Sequence, residues 1–145
     1  MAIVSFILRL QEFFRFLSHS FKGVSMNRHR ILFIEDDPDL RNLLSLALPF
    51  FGAFHVQAAA DGIQGLHMCI EHTPNCVVLD VKMPGLDGYQ VARALRGDPD
   101  TAEIPFIILT AQSQDRDIFE GLSSGADRYL QKPVGAQELV GIIWY

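Results

Sequence analysis

The sequence predicts an open α/β domain in three layers, with five parallel β-strands alternating with five α-helices. Three observations carry that expectation. Short apolar runs recur between residues 30 and 131, and each stops at turn or polar residues, as buried strands do. Stretches of helical period stand between successive runs, and strands alternating with helices pair in parallel through right-handed crossovers. The runs are near-continuous in Val, Ile, Leu and Phe, the composition of strands covered on both faces.

The first strand is Arg30-Ile31-Leu32-Phe33-Ile34, which ends in three acids, Glu35-Asp36-Asp37. Asp37 suits the N-cap of the next helix and Pro38 its first position, where no donor is lost. Leu40, Leu43, Leu44 and Ala47 mark the packed face of that helix, and Pro49 and Gly52 stop it. A second strand is expected over 53–58, with Phe54 and Val56 on one side. Asp61-Gly62 opens a helix carrying Ile63, Leu66, His67 and Ile70, which Thr73-Pro74-Asn75 breaks. The third strand, Val77-Val78-Leu79, runs into Asp80, and Met83-Pro84-Gly85 turns the chain. Leu86-Asp87-Gly88 leads into a third helix, 89–96. The fourth strand covers 104–109, with Pro105 near its start, where a missing donor is tolerated, and it ends in Thr110-Ala111. A weaker helix is expected over 115–123, then a short strand over 127–131 closed by Lys132-Pro133. The last helix begins at Ala136 and turns Trp144 to the core.

The chain of 145 residues carries a net charge of −5, and half of it is hydrophobic, enough for one real core. The charge is uneven. Arg9, Arg15 and Lys22 against Glu12 give residues 1–25 a charge of +2, which leaves −7 on the remainder. An acidic body without a helix-turn-helix segment or basic patch is expected not to bind nucleic acid directly. Cys69 and Cys76 have no metal-ligand spacing and sit in apolar context, so they are expected to be buried, free thiols in a reducing, cytoplasmic compartment. The five histidines are scattered without ligand spacing and are expected to be structural or exposed.

Residues 1–25 stand apart as a basic amphipathic extension ahead of the domain at 28–145. Ile3, Ile7, Leu10, Phe14, Leu17 and Phe21 follow the spacing of a helix seam. Arg9 and Arg15 interrupt the run, which falls short of a membrane span, and no cleavage signal follows it. Three readings stay open: a helix on a membrane surface, a helix paired with a partner, and an upstream stretch that is not translated because Met26 starts the protein.

The chemistry gathers at the strand ends. Strand one ends in Glu35 and Asp36, strand three in Asp80, strand four in Thr110 and strand five in Lys132. In a parallel sheet those ends share one edge, and ligand sites lie outside it. Carboxylates brought together there repel unless a cation joins them, and hard oxygen donors suit Mg²⁺. A metal and an ammonium beside an aspartate form a place for a phosphoryl group, whose transfer needs mainly positioning and charge neutralisation. Singly, each residue has a plainer use, as a helix cap, a strand end or a surface lysine. Their coincidence at four strand ends is what points to a site.

Ile31 to Asp37, Leu79 to Gly88, Ile108 to Ala111 and Gly125 to Pro133 together resemble the receiver domain of bacterial response regulators, in order and spacing, from about residue 29 onward. The resemblance implies a flavodoxin-like (βα)5 fold of strand order 2-1-3-4-5. It implies that Asp80 accepts a phosphoryl group from a sensor histidine kinase or a histidine phosphotransfer protein. Asp36, Asp80 and the backbone carbonyl of Lys82 would ligate Mg²⁺, with Glu35 acting indirectly. Lys132, the Thr110 hydroxyl and the Ala111 backbone would bind phosphoryl oxygens. Thr110 and Tyr129 would form the switch toward a downstream protein partner. Lys82 and Gln112 would tune hydrolysis, and Lys132–Pro133 would be cis. Such a chain assists only its own phosphorylation and dephosphorylation and is not a turnover enzyme. Two other readings compete: a Mg²⁺-dependent phosphohydrolase using Asp37-Pro38-Asp39, and a receiver-shaped binding module that is never phosphorylated.

Overall fold

The computed structural model describes residues 29–52, 54–110 and 125–143. The stretch 1–25, Ala111, Gln112, the helix expected over 115–123 and Trp144 lie outside the described residues. In order, the described elements are β1 (His29–Ile34), α1 (Pro38–Ala47), a 3-10 turn (Leu48–Phe50), β2 (Phe54–Ala59), α2 (Gly62–His72), β3 (Cys76–Asp80), α3 (Gly88–Gly97), β4 (Phe106–Thr110), β5 (Arg128–Gln131) and α4 (Ala136–Ile143). The five strands form one sheet in the order β2-β1-β3-β4-β5, and every neighbouring pair is parallel. The fold is the flavodoxin-like one expected.

Side chains alternate across the sheet and build two cores. Leu32, Ile34, Val77, Leu79 and Ile108 pack with Cys69 of α2 and with Val91, Ala92 and Leu95 of α3. Ile31, Phe33, Val78, Ile107 and Leu109 pack on the opposite face with Leu44 of α1 and Leu139 of α4. β1, β3 and β4 are buried on both faces, which explains their unbroken apolar runs.

Local chemistry starts each helix. The Asp37 carboxylate accepts from the Asp39 amide at 2.9 Å, with Pro38 at the first turn of α1. Asp61 accepts from the Gln64 amide at 2.8 Å. Asp87 and Gln90 form a reciprocal capping box ahead of α3.

Two expectations need correction. Leu43, assigned to the packed face of α1, is 49% exposed, because only Leu44 and Leu48 are fully buried there. β4 begins at Phe106 rather than Ile104. Pro105 has no N–H for the ladder, yet its carbonyl accepts from the Val77 amide at 3.0 Å, so the sheet contact starts one residue ahead of the strand. Both cysteines are buried and free, and burial pushes each thiol up to about 12. The four described histidines are exposed.

Candidate functional site

The carboxyl ends of β1, β3, β4 and β5 meet at one edge of the sheet. Glu35 follows β1 and keeps its alignment, its amide donating to the Ala59 carbonyl at 3.1 Å. Its side chain turns inward and is 2% exposed. Asp80 closes β3 at 6% exposure, level with Leu109 of β4. Thr110 closes β4 and is also buried. The Lys132 amide donates to the Thr110 carbonyl at 2.6 Å, which carries the pairing one step past β5. The Lys132–Pro133 peptide is cis, as expected.

The Lys132 ammonium lies 3.0 Å from Asp80 Oδ1 and 3.0 Å from Glu35 Oε2. Glu35, Asp36 and Asp80 each offer an oxygen, and these lie within 4.8 Å of one another. Three carboxylates thus face one ammonium. Burial, then the charge of Asp80, pushes Glu35 up from 4.5 to about 7. Burial likewise raises Asp80, against the opposing pull of Lys132. Burial alone would lower Lys132, but its bonds to Asp80 and Glu35 outweigh that and raise it. Clustered acids that resist full ionisation fit a divalent cation, and oxygen-only donors fit a hard one.

This has a consequence for stability. A carboxyl raised in the folded state favours folding while protonated, and loses that advantage as pH rises from the unfolded toward the folded value. Without metal, the Glu35 contribution is full below about 4.5 and is lost by about 7. At roughly 1.4 kcal/mol per pH unit, the loss reaches about 3 kcal/mol. Denaturant midpoints at pH 5 and pH 8 in chelator, for wild type and Glu35→Gln, measure it. The wild-type fall should shrink in the variant, and equal falls would refute it.

Neighbouring groups hold the cluster in place. Arg41 of α1 donates to the Glu35 carbonyl at 2.8 Å, which braces the turn after β1. A β-carbon at Gly88 would collide with the Asp80 carbonyl oxygen and lie 2.9 Å from Val81 Cα. The bare glycine therefore lets α3 start against the strand end that carries Asp80. Neither role has a pattern in the sequence: Arg41 reads as a polar helix position, and Gly88 as an ordinary turn residue. An open cleft of about 750 Å³ lined by Asp36, Asp61, His67, Pro84 and Leu86 adjoins the acids and gives access from solvent.

The other expected residues divide. Lys82 is exposed in the loop after β3. Tyr129 is half-buried beside the core under α2 and α3, level with Ile108, and among the described residues its buried hydroxyl has no hydrogen-bond partner. Ala111 and Gln112 lie outside the described residues. Asp37 and Asp39 are exposed, and Asp37 is engaged in capping α1, so Asp37-Pro38-Asp39 does not supply a nucleophile to the cluster.

Comparison with known proteins agrees with this geometry. Residues 31–143 match the model of the response regulator receiver domain. The chain is 42% identical over 111 residues to the DNA-binding dual master transcriptional regulator RpaA of Synechocystis, covering 77% of this chain and 46% of that protein. It is 44% identical over 109 residues to the transcriptional regulatory protein AfsQ1 of Streptomyces coelicolor, covering 75% and 47%. The chain thus spans about half the length of the curated relatives it matches. Among solved structures, chemotaxis protein CheY4 of Vibrio cholerae superposes with a TM-score of 0.75 at 26% identity, covering 81% of this chain and 97% of that one. A putative response regulator from Chloroflexus aurantiacus does so with a TM-score of 0.75 at 34% identity, covering 81% and 95%. A phosphoacceptor role fits the fold and its acidic cluster, and the chain belongs to the response regulator receiver domain family.

Proposed function

We propose that Asp80 is the phosphoacceptor of a two-component signalling step. The donor is the phosphohistidine of a sensor histidine kinase or a histidine phosphotransfer protein. One observation carries the reading: a buried aspartate 3.0 Å from a lysine ammonium, beside two further carboxylates at the mouth of a parallel sheet. An Asp80 carboxylate oxygen attacks phosphorus, the P–N bond breaks, and the imidazole leaves with its electron pair. Asp36, Asp80 and the Lys82 carbonyl would hold Mg²⁺, with Glu35 supporting it indirectly. When bound, the ion supplies charge neutralisation for the phosphoryl oxygens. Lys132 pairs with one of those oxygens, the Thr110 hydroxyl donates to another, and the Ala111 amide approaches because its side chain is small. Lys82 and Gln112 flank the phosphoryl group and set how fast water removes it. The chain turns over no external substrate.

The reading is tested by intact mass after incubation with acetyl phosphate. Wild type should gain one phosphoryl group with Mg²⁺ and none in chelator. No gain from a folded protein would overturn it.

The signal then leaves through Thr110 and Tyr129. Phosphorylation adds charge and acceptors at the sheet edge, Thr110 turns toward them, and Tyr129 repacks. The Tyr129 hydroxyl, buried and without a partner among the described residues, supports this, since a phenol so placed gains from a rearrangement that gives it one. Thr110→Ala should still accept the phosphoryl group but lose coupling to Tyr129. That coupling is read as the phosphorylation-dependent shift of the Tyr129 ring resonances. An unchanged shift would sink the switch role.

The output is binding to a downstream protein rather than direct contact with nucleic acid, in keeping with the −7 charge of the body. We place the protein in the cytoplasm, in accord with its two buried free thiols and with the lack, among the described residues, of a helix long and apolar enough to cross a membrane. We read residues 1–25 as an extension ahead of the receiver at 28–145; a membrane-surface helix, a helix paired with a partner and an untranslated stretch ahead of Met26 stay its three readings.

A further inference from the structure

We infer that Arg96 and Asp127 form a positioning pair that sets the register of β5 and so delivers Lys132 to the acids; this rests on the phosphoacceptor reading above. Lys132 follows an edge strand of only four residues, which among the described strands pairs with β4 alone. A slip of one residue in such a strand would turn every side chain to the other face and take the ammonium out of the site. Something must therefore hold the start of β5 against β4.

Arg96, at the end of α3, is placed to do this. Its Nη1 donates to the carbonyls of Ala102 at 2.9 Å and Ile104 at 2.7 Å, on the loop that leads to β4. Its Nε and Nη2 donate to the Gly125 carbonyl at 3.2 and 2.9 Å, on the turn that leads to β5. Nη2 also meets Asp127 Oδ2 at 2.9 Å. These contacts match the full set of five guanidinium N–H groups. Its Cζ lies over the Phe106 ring, 4.2 Å from the centroid. Asp127 completes the link to β4: its carboxylate accepts from the Phe106 amide at 2.9 Å, and its own amide donates to the Phe106 carbonyl at 3.0 Å. Gly125 has a φ of +86°, and a β-carbon there would lie 3.2 Å from Arg96 Cγ, so the turn is shaped around the arginine.

One cation thus joins the two loops that open β4 and β5, the strands whose far ends carry Thr110 and Lys132. The carboxylates of the site sit on or after β1 and β3, outside this linkage. Loss of Arg96 should therefore shift Lys132 and leave the acids in place. From Asp127 to Lys132 the chain spans about 16 Å, so the pair acts without touching the reacting atoms.

The experiment uses the full chain with acetyl phosphate and Mg²⁺, at a temperature where circular dichroism shows every variant folded. Arg96→Ala should lower the phosphorylation rate about tenfold, the scale of a displacement of under 1 Å at a reacting group. Mg²⁺ affinity should change less than twofold. In a Lys132→Ala background, Arg96→Ala should lower the rate no further, because its effect passes through that lysine. Arg96→Lys, which keeps the charge but not the fork, should not restore the rate. Asp127→Asn carries the same test if Arg96→Ala does not fold. A wild-type rate in the folded variant, or an equal loss in both backgrounds, would overturn the inference. Wild type failing to accept the phosphoryl group would instead overturn the phosphoacceptor reading. The positioning role would then be judged by the ¹⁵N resonance of the Lys132 ammonium, which should move in Arg96→Ala and in Asp127→Asn; no movement would overturn it.

Discussion

Asp80→Asn is expected to abolish phosphoryl gain and, at the same time, to stabilise the metal-free protein. The amide keeps the shape of the side chain but has no carboxylate oxygen to attack phosphorus, so the loss should be complete within detection. The stability effect has the opposite sign. Three carboxylates share this edge with one ammonium, and the Asp80 charge is the second cause, after burial, of the raised Glu35 value. Removing it lets Glu35 ionise closer to its ordinary range while Lys132 keeps a charged partner 3.0 Å away. Around pH 8 in chelator the variant should gain about 1–2 kcal/mol, in the range of single buried charge contacts. Mg²⁺ affinity should fall at least tenfold. Denaturant midpoints with and without Mg²⁺, beside the intact mass, measure all three. A variant that still gains a phosphoryl group would move the acceptor to another residue. One that loses stability in chelator would show that Lys132 needs Asp80 more than Glu35 suffers from it.

Lys132→Ala should lower the transfer rate by about 10²–10³, the usual loss when one preorganised donor to developing charge is removed. Its ammonium is the charge common to Asp80 and Glu35, at 3.0 Å from each. Taking it away leaves two buried carboxylates without that counter-charge, which costs about 2–4 kcal/mol in chelator at pH 8. Glu35 should then titrate above about 7, since the bond and charge of Lys132 are what hold it down. The sign follows: the pH-dependent loss of stability extends to higher pH than in wild type. Mg²⁺ should recover most of the stability, because a cation answers the carboxylate repulsion. It should not recover the rate, because a cation held by the carboxylates would not replace the N–H donor that the ammonium offers to a phosphoryl oxygen. A rate within threefold of wild type, or recovery of rate by Mg²⁺ alone, would remove Lys132 from the transfer step.

Much of this was legible in the sequence, for reasons specific to parallel sheets. β1, β3 and β4 read as strands because a strand covered on both faces tolerates almost no polar residue. Where such a run stops, polar residues at its end fall on the ligand edge, so Glu35, Asp36, Asp80, Thr110 and Lys132 are marked by where they stop a strand. The cap Asp37 was readable because its contact lies two residues along the chain. Helix faces were less so. Leu43 and Leu44 are indistinguishable by type, and only the placing of α1 over the sheet buries the second and exposes the first.

What only the tertiary structure decided is everything that depends on distance between remote residues. Glu35 and Lys132 stand 97 positions apart, and no local pattern says that one ammonium bridges two acids or that crowding lifts a glutamate to about 7. The same holds for Arg96, which in sequence is one more charged residue at a helix end and in space joins the starts of two strands. Periodicity and turn chemistry are properties of neighbours along the chain, so the sequence by itself determined the elements, their order and which residues stop each strand. Electrostatics and packing fall off with distance through space, so the partners of those residues, and the strength with which each is held, were settled only when the sheet brought its edges together.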